Sequence, residues 1–193
     1  MTPIDAALSS VEELFALFEA RGHEHDGEDV TQTAHALQSA ALARRAGATD
    51  ELVAAALLHD VGHLVARARP AGWRVEVDDD AHDAAGARLL APLLGARVAA
   101  PVALHVTAKR WRCSVDPDYL GALSATSRAT LRAQGGLLDQ SARARFEAHP
   151  TFRDAIALRQ WDDDAKDPTA AVGELRDHAP LLVLLARRAA SGR

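Results

Sequence analysis

After Asp50 and Glu51 the chain is apolar at every position from Leu52 to Leu58, and then places His59 and Asp60 side by side. Two helical turns of Leu, Val and Ala want a dry environment, and packing alone does not explain an imidazole and a carboxylate at the end of them. Both groups are metal ligands, and a dry helical wall is a good place to fix them. Neighbouring residues on a helix point about 100° apart, so the pair could reach two metals or two sides of one. Such a doublet needs partners, and His35, His82, His105 and Asp162 are the candidates.

The rest of the chain reads as helix. It has 193 residues, enough for one domain with a sizeable core, and 48% of them are hydrophobic with only 4% aromatic. Ala, Leu, Arg and Glu favour helices, and β-branched runs are scarce. Ser10 to Glu13 has the pattern of a capping box and opens a first helix that stops near Gly22. A second is expected from about Thr31 to Ala46, closed by Gly47. A third starts at Thr49 or Asp50 and runs through the doublet to about Gly62. A fourth spans about His82 to Leu94, and a fifth starts at Pro101, a favourable first-turn position, and reaches about Arg112. Shorter helices follow Asp116-Pro117 and Ser124, another lies near Asp139 to Ala148, then comes one from about Phe152 to Asp163, and a last one from about Ala179 to Ala190. The polar stretch from Arg67 to Asp80 is read as a short hairpin. The expectation is one all-α domain over residues 1–193, with its core at about 10–170 and a C-terminal helix at about 178–190.

Several function classes are excluded. A net charge of −5, with no basic block interleaved with aromatics, argues against a general nucleic-acid binder. No apolar run approaches the roughly 20 residues needed to span a bilayer, and the N-terminus lacks the basic and apolar regions of a signal peptide. Cys113 is the only cysteine, so no internal disulfide can form. These features point to a soluble cytoplasmic protein, and nothing in them bears on oligomeric state.

Seven of the nine histidines lie between His23 and His105. An isolated histidine is commonly a surface or internally satisfied side chain, and His23, His149 and His178 are read as such, the last two as solvated helix ends. His35, His59, His82 and His105 differ, because each falls on or at the start of a separate expected helix. Four helices that each turn one imidazole inward, joined by Asp60 and Asp162, can build a buried two-metal cluster as helical bundles do. Asp60 is the natural bridging carboxylate, with His35 and His59 on one metal, His82 and His105 on the other, and Asp162 closing the set.

The order His35, His59-Asp60, His82, His105, Asp162 resembles the HD-domain superfamily in its six-ligand, two-metal form. More narrowly, the chain resembles the HD-domain oxygenases that cleave the carbon–phosphorus bond of 1-hydroxyphosphonates. The stretches that carry this are Gly27-Glu28 with His35 to Gln38, Ala54 to His63, His82 with Gly86, Pro101 to Arg110, Gln134-Gly-Gly136 and Leu158 to Lys166. The resemblance implies an all-α HD bundle, an Fe(II)/Fe(III) pair with O2 as co-substrate, and a small phosphonate released as phosphate and a carboxylate. His63, Lys109, Ser127 and Arg159 match its phosphonate contacts. Lys109 lies one turn beyond His105 and Arg159 one turn before Asp162, which puts two cations beside the ligand set. Glu28 matches the residue that receives the amine of 2-amino-1-hydroxyethylphosphonate. One departure is plain. A Tyr precedes that Glu by three residues in the family pattern and can occupy the open iron position, whereas this chain has His25 there and its only Tyr is Tyr119. His25 is therefore an expected additional metal ligand or O2 gate. A dinuclear phosphohydrolase acting on a small phosphate ester would use the same ligands and cations, and a non-catalytic metal-binding regulatory domain is the third alternative.

Overall fold

A computed structural model describes residues 8–25, 29–67 and 82–192. Among them are eleven α-helices and one 3-10 turn. The first is α1 (Val11–Arg21), whose N-cap Ser10 accepts from the Glu13 N–H. The other half of the expected capping box is displaced by one residue. The Glu13 carboxylate accepts from the N–H and hydroxyl of Ser9, both at 2.7 Å, rather than from the N–H of Ser10. Thr31 and Thr49 cap α2 (Gln32–Arg45) and α3 (Asp50–Leu58) in the same manner, each through its hydroxyl.

The expected helix through the doublet is broken at the doublet itself. It consists of α3, then a turn at His59 and Asp60, then α4 (Val61–Arg67). The break has a local reason. His59 Nδ1 lies 2.9 Å from the Ala56 carbonyl, one of the acceptors that the end of a helix leaves without an N–H. As the apolar run requires, Leu52 to Leu58 are buried, and α3 packs against α2, α6, α10 and α11.

The next elements are α5 (His82–Leu94) and α6 (Ala96–Val115). The expected start of α6 at Pro101 is wrong by five residues, because Gly95 (φ +85°) turns the chain and the helix begins directly after it. Pro101 then sits inside the helix, which costs about 3 kcal/mol of local stability. Burial of Val98, Ala99, Pro101 and Val102 against the rest of the bundle offsets this. The shorter helices α7 (Pro117–Ala122), α8 (Ala125–Ala133) and α9 (Gln140–Glu147) follow, capped by the side chains of Asp116, Ser124 and Asp139. The chain closes with α10 (Phe152–Asp164), a 3-10 turn (Leu175–His178) and α11 (Ala179–Ser191).

Two glycines seat His82. A Cβ on Gly62 would stand 2.0 Å from the His82 carbonyl oxygen, and one on Gly86 would stand 3.3 Å from the Gly62 nitrogen. The backbones of α4 and α5 therefore touch, and the first residue of α5 lies against the turn that carries Asp60. His178 is not a solvated helix end. It is buried, with Arg44 donating to its Nδ1 at 3.3 Å, and burial pushes its pKa down. The expected hairpin and Glu28 lie outside the described residues. Among the described residues, no helix is long and apolar enough to cross a membrane.

Candidate metal centre

Five elements deliver their polar residues to one point: α2 brings His35, the α3–α4 turn His59 and Asp60, α5 His82, α6 His105, and α10 Asp162. All are buried except Asp60, which is partly open. The two oxygens of Asp60 face opposite ways. Oδ2 lies 3.6 Å from His35 Nε2 and 3.5 Å from His59 Nε2, and Asp162 Oδ1 joins this group at 3.4 Å from His35 Nε2. Oδ1 lies 3.7 Å from the Nε2 atoms of both His82 and His105. The result is two clusters of donor atoms that share one carboxylate.

The tautomers show what these clusters can hold. His35 Nδ1 lies 2.9 Å from the Ala165 carbonyl, His59 Nδ1 2.9 Å from that of Ala56, and His105 Nδ1 2.8 Å from that of Val102. A carbonyl only accepts, so each Nδ1 carries the hydrogen, and in the neutral ring each Nε2 is a lone pair. Yet His35 Nε2 and His59 Nε2 stand 3.2 Å apart, and His82 Nε2 and His105 Nε2 3.0 Å apart, with carboxylate oxygens beside them. Between His35 and His59, lone pairs and anions converging at this distance require a cation, either a proton on a ring or a metal ion, whereas at His82 and His105 the contact needs at least one hydrogen or cation between the two nitrogens. Neutral imidazoles fixed by carbonyl bonds, together with carboxylates, fit a pair of first-row transition metals.

The protonation energetics agree. Burial drives the His59 imidazole toward the neutral form, but the Asp60 and Asp162 carboxylates outweigh it and hold its pKa up at about 9. Burial and the neighbouring His82 and His59 push His105 well below its ordinary value. Asp60 and Asp162 stay ionised despite burial, Asp60 through the surrounding imidazoles and Asp162 chiefly through Arg159. A bound divalent ion must displace the His59 proton. Apparent metal affinity is therefore expected to rise about tenfold per pH unit toward pH 9 and then level off, with proton release visible by calorimetry in buffers of different ionisation enthalpy.

A cavity of about 450 Å³ opens onto His35, Asp60, His82, His105 and Asp162. His63, Lys109, Ser127 and Arg159 all line it, together with Gln32, Thr126, Thr130, Gln134 and Lys166. The His63 ring is stacked on that of His82, centroids 3.8 Å apart, and its donor atom groups with those of Asp60 and His82. Lys109 is not solvated, and it has no ion-pair partner among the described residues. It is buried, and its Nζ donates to Thr130 Oγ1 at 2.6 Å and to Gln134 Oε1 at 2.8 Å. Burial, then the charge of Arg159, lowers its pKa to about 8. Gln134 reaches inward because α8 ends there. Gly135 and Gly136 adopt φ of +90° and +67°, and Arg110 caps the turn by donating to both of their carbonyls.

Two expectations are met differently. Arg159 lines the cavity, but its guanidinium is held by carboxylates, with Nη1 donating to Asp162 Oδ2 at 2.7 Å and Nε and Nη2 engaging Asp163. His25 is exposed, its backbone bridged to Thr31, and it is not among the residues lining the cavity. Among residues to which the sequence assigned no role of their own, Gln38 is the clearest. Its amide donates to the Asp167 carbonyl at 2.9 Å and accepts from the Asp167 N–H at 3.1 Å, fixing the segment whose Ala165 carbonyl binds His35. Its place one turn after His35 on α2 was the available signal.

A family model described as HD domain matches residues 33–143. Hydroxymethylphosphonate dioxygenase of Gimesia maris is 41% identical over 168 residues, which is 87% of this chain and 84% of the relative. The 1-hydroxy-2-(trimethylamino)ethylphosphonate dioxygenase (glycine-betaine-forming) of Leisingera caerulea is 34% identical over 173 residues, covering 89% and 88%. An uncharacterized protein of Acanthamoeba polyphaga mimivirus is 28% identical over 192 residues, covering 93% and 83%.

Proposed function

The chain belongs to the HD-domain family, and on that premise we propose that it is an O2-dependent oxygenase that cleaves the carbon–phosphorus bond of a 1-hydroxyphosphonate. The observation that carries this reading is a two-centred His/Asp cluster opening into a cationic cavity, in a chain 41% identical to a hydroxymethylphosphonate dioxygenase. We assign His35, His59, Asp162 and one oxygen of Asp60 to one metal, and His82, His105 and the other oxygen of Asp60 to the second. Iron in an Fe(II)/Fe(III) pair is the proposed metal, and when bound it would activate O2 and bind the substrate's C1 oxygen. The chain is proposed to act as one domain in the cytoplasm.

The protein's own residues have three tasks. Asp60 holds the two centres together. The Nδ1–H bonds to Ala165, Ala56 and Val102 keep three imidazoles aimed inward, so no reorientation is needed on binding. Lys109, whose Nζ is bonded to Thr130 Oγ1, is proposed to neutralise the phosphonate, with Ser127 on the cavity wall and His63 donating to the same group. For hydroxymethylphosphonate the balance is one substrate and one O2 giving one formate and one phosphate, with no external reductant.

Lys109 makes the substrate-binding part testable by pH. Its ammonium is present below about pH 8 and lost above it, so KM is expected to rise through that range. Lys109→Met should raise KM about 10–100-fold at pH 7, the worth of a charge-assisted hydrogen bond, and flatten the profile. An unchanged KM would remove Lys109 from phosphonate binding. Glu28→Ala is expected to impair amine-bearing 1-hydroxyphosphonates more than hydroxymethylphosphonate, and equal losses would remove Glu28 from the amine role. The reaction class is tested by loading Fe(II) anaerobically and following phosphate release from a panel of 1-hydroxyphosphonates and phosphate esters. Release from the phosphonates only after O2 is admitted supports the oxygenase. Release from esters without O2 would establish the hydrolase, and no turnover of any compound would favour a regulatory domain.

A further inference from the structure

Asp162 turns only one oxygen toward the histidines. Oδ1 lies 3.4 Å from His35 Nε2 and 3.8 Å from His59 Nε2, while Oδ2 is taken by Arg159 Nη1 at 2.7 Å. Both side chains are buried. An arginine one turn away on the same helix could swing elsewhere, but this one is held from behind. Its Nε and Nη2 form a two-point contact with the Asp163 carboxylate, the planar geometry that fixes a guanidinium most firmly. Asp163 is in turn held from two other helices. Tyr119 of α7 donates its hydroxyl to Asp163 Oδ2 at 2.7 Å and accepts from Arg159 Nε at 3.0 Å. Arg112 of α6 donates to the same Asp163 oxygen at 3.2 Å and lies 3.9 Å above the centre of the Tyr119 ring.

We propose that Asp163, Tyr119 and Arg112 form an anchor that locks Arg159 onto Asp162 and so keeps Asp162 a one-oxygen ligand. The inference rests on the metal assignment made above and adds three positioning residues to it. A carboxylate free to rotate could give both oxygens to the metal beside His35 and His59 and fill a coordination position that the reaction needs open. With Oδ2 committed to Arg159, that position stays available. The same anchor redirects Arg159. Two carboxylates engage its fork, so the charge that meets the phosphonate comes chiefly from Lys109, and Arg159 acts mainly through Asp162.

The test compares Asp163→Asn, Tyr119→Phe and Asp162→Ala with the parent chain. Stepwise Mn(II) and Fe(II) affinities are measured anaerobically by competition with a chromophoric chelator, alongside kcat and KM for hydroxymethylphosphonate. Asp163→Asn is expected to weaken one of the two binding steps about 10–100-fold, the usual effect of losing a partner behind a ligand, and to leave the other step unchanged. Tyr119→Phe, which keeps the shape of the ring, should weaken the same step about 2–10-fold. In both variants kcat should fall more than KM rises. If both bind the two metals as the parent does while Asp162→Ala loses one, the anchor is overturned and the metal assignment stands. Equal weakening of both steps would indicate general loosening and also overturn the anchor. If Asp162→Ala keeps two metals at parental affinity, the ligand assignment falls and the anchor with it.

Discussion

Asp60→Ala is expected to abolish two-metal binding, reducing metal content from two per chain to less than one. Asp60 is the carboxylate whose oxygens reach both histidine pairs, at 3.5 to 3.7 Å. On the proposed assignment, its loss would remove a ligand from each centre at once. The affinity cost should therefore exceed the roughly 100-fold upper range for residues that merely orient a ligand. A second effect follows in the metal-free protein. The Asp60 charge is the largest influence raising the His59 pKa against burial. Without it, His59 should titrate well below its parental value of about 9, an outcome visible in an NMR titration of its ring protons. Asp60→Asn separates the two effects, because the amide keeps an oxygen but not the charge. If Asp60→Ala retained two metals with unchanged affinity, the bridging role would be refuted.

Gly62→Ala is expected to be the most destabilising small substitution near the site. The added methyl would stand 2.0 Å from the His82 carbonyl oxygen and 3.1 Å from the Gly86 nitrogen, and both are backbone atoms that cannot rotate away. Helices α4 and α5 must then separate. Overpacking of this kind costs about 3 kcal/mol, with the upper range applying where backbone must move, equivalent to about 6–12 °C in melting temperature for a chain of this size. Because His82 is the first residue of α5, the shift also carries its ring away from His105, so metal binding should fall along with stability. Gly121→Ala is the control. No atom lies within 4 Å of its Cβ position, and within α7 alanine should stabilise by up to about 1 kcal/mol. Equal melting temperatures for the two variants would show that α4 and α5 do not depend on this contact.

Local chemistry made much of this legible. The hydroxyls of Ser10, Thr31 and Thr49 and the carboxylate of Asp139 act over three residues, and each caps the helix that its position implied. The histidines of the site stood out because each sat on a different amphipathic or apolar segment. Where the outcome departed from the sequence reading, a contact distant in the chain was responsible. Pro101 reads as a helix start until the burial of its neighbours carries the helix through it. Asp163 stands in a run of three acids with nothing local to assign it a role, until Tyr119 and Arg112, both more than forty residues away, converge on it. Arg159 has the right spacing to face an anion, and spacing alone does not reveal that the anions it meets are Asp162 and Asp163. His178 reads as a polar helix end, but the packing of α11 brings it against Arg44 of α2.

The most direct measurement is the ratio of O2 consumed to phosphate released when the Fe(II)-loaded chain turns over hydroxymethylphosphonate. The atom balance requires one O2 per phosphate, with no release before O2 is admitted and none from Asp60→Ala. Phosphate released at the same rate without O2 would contradict oxidative cleavage and place the two-metal site among hydrolases.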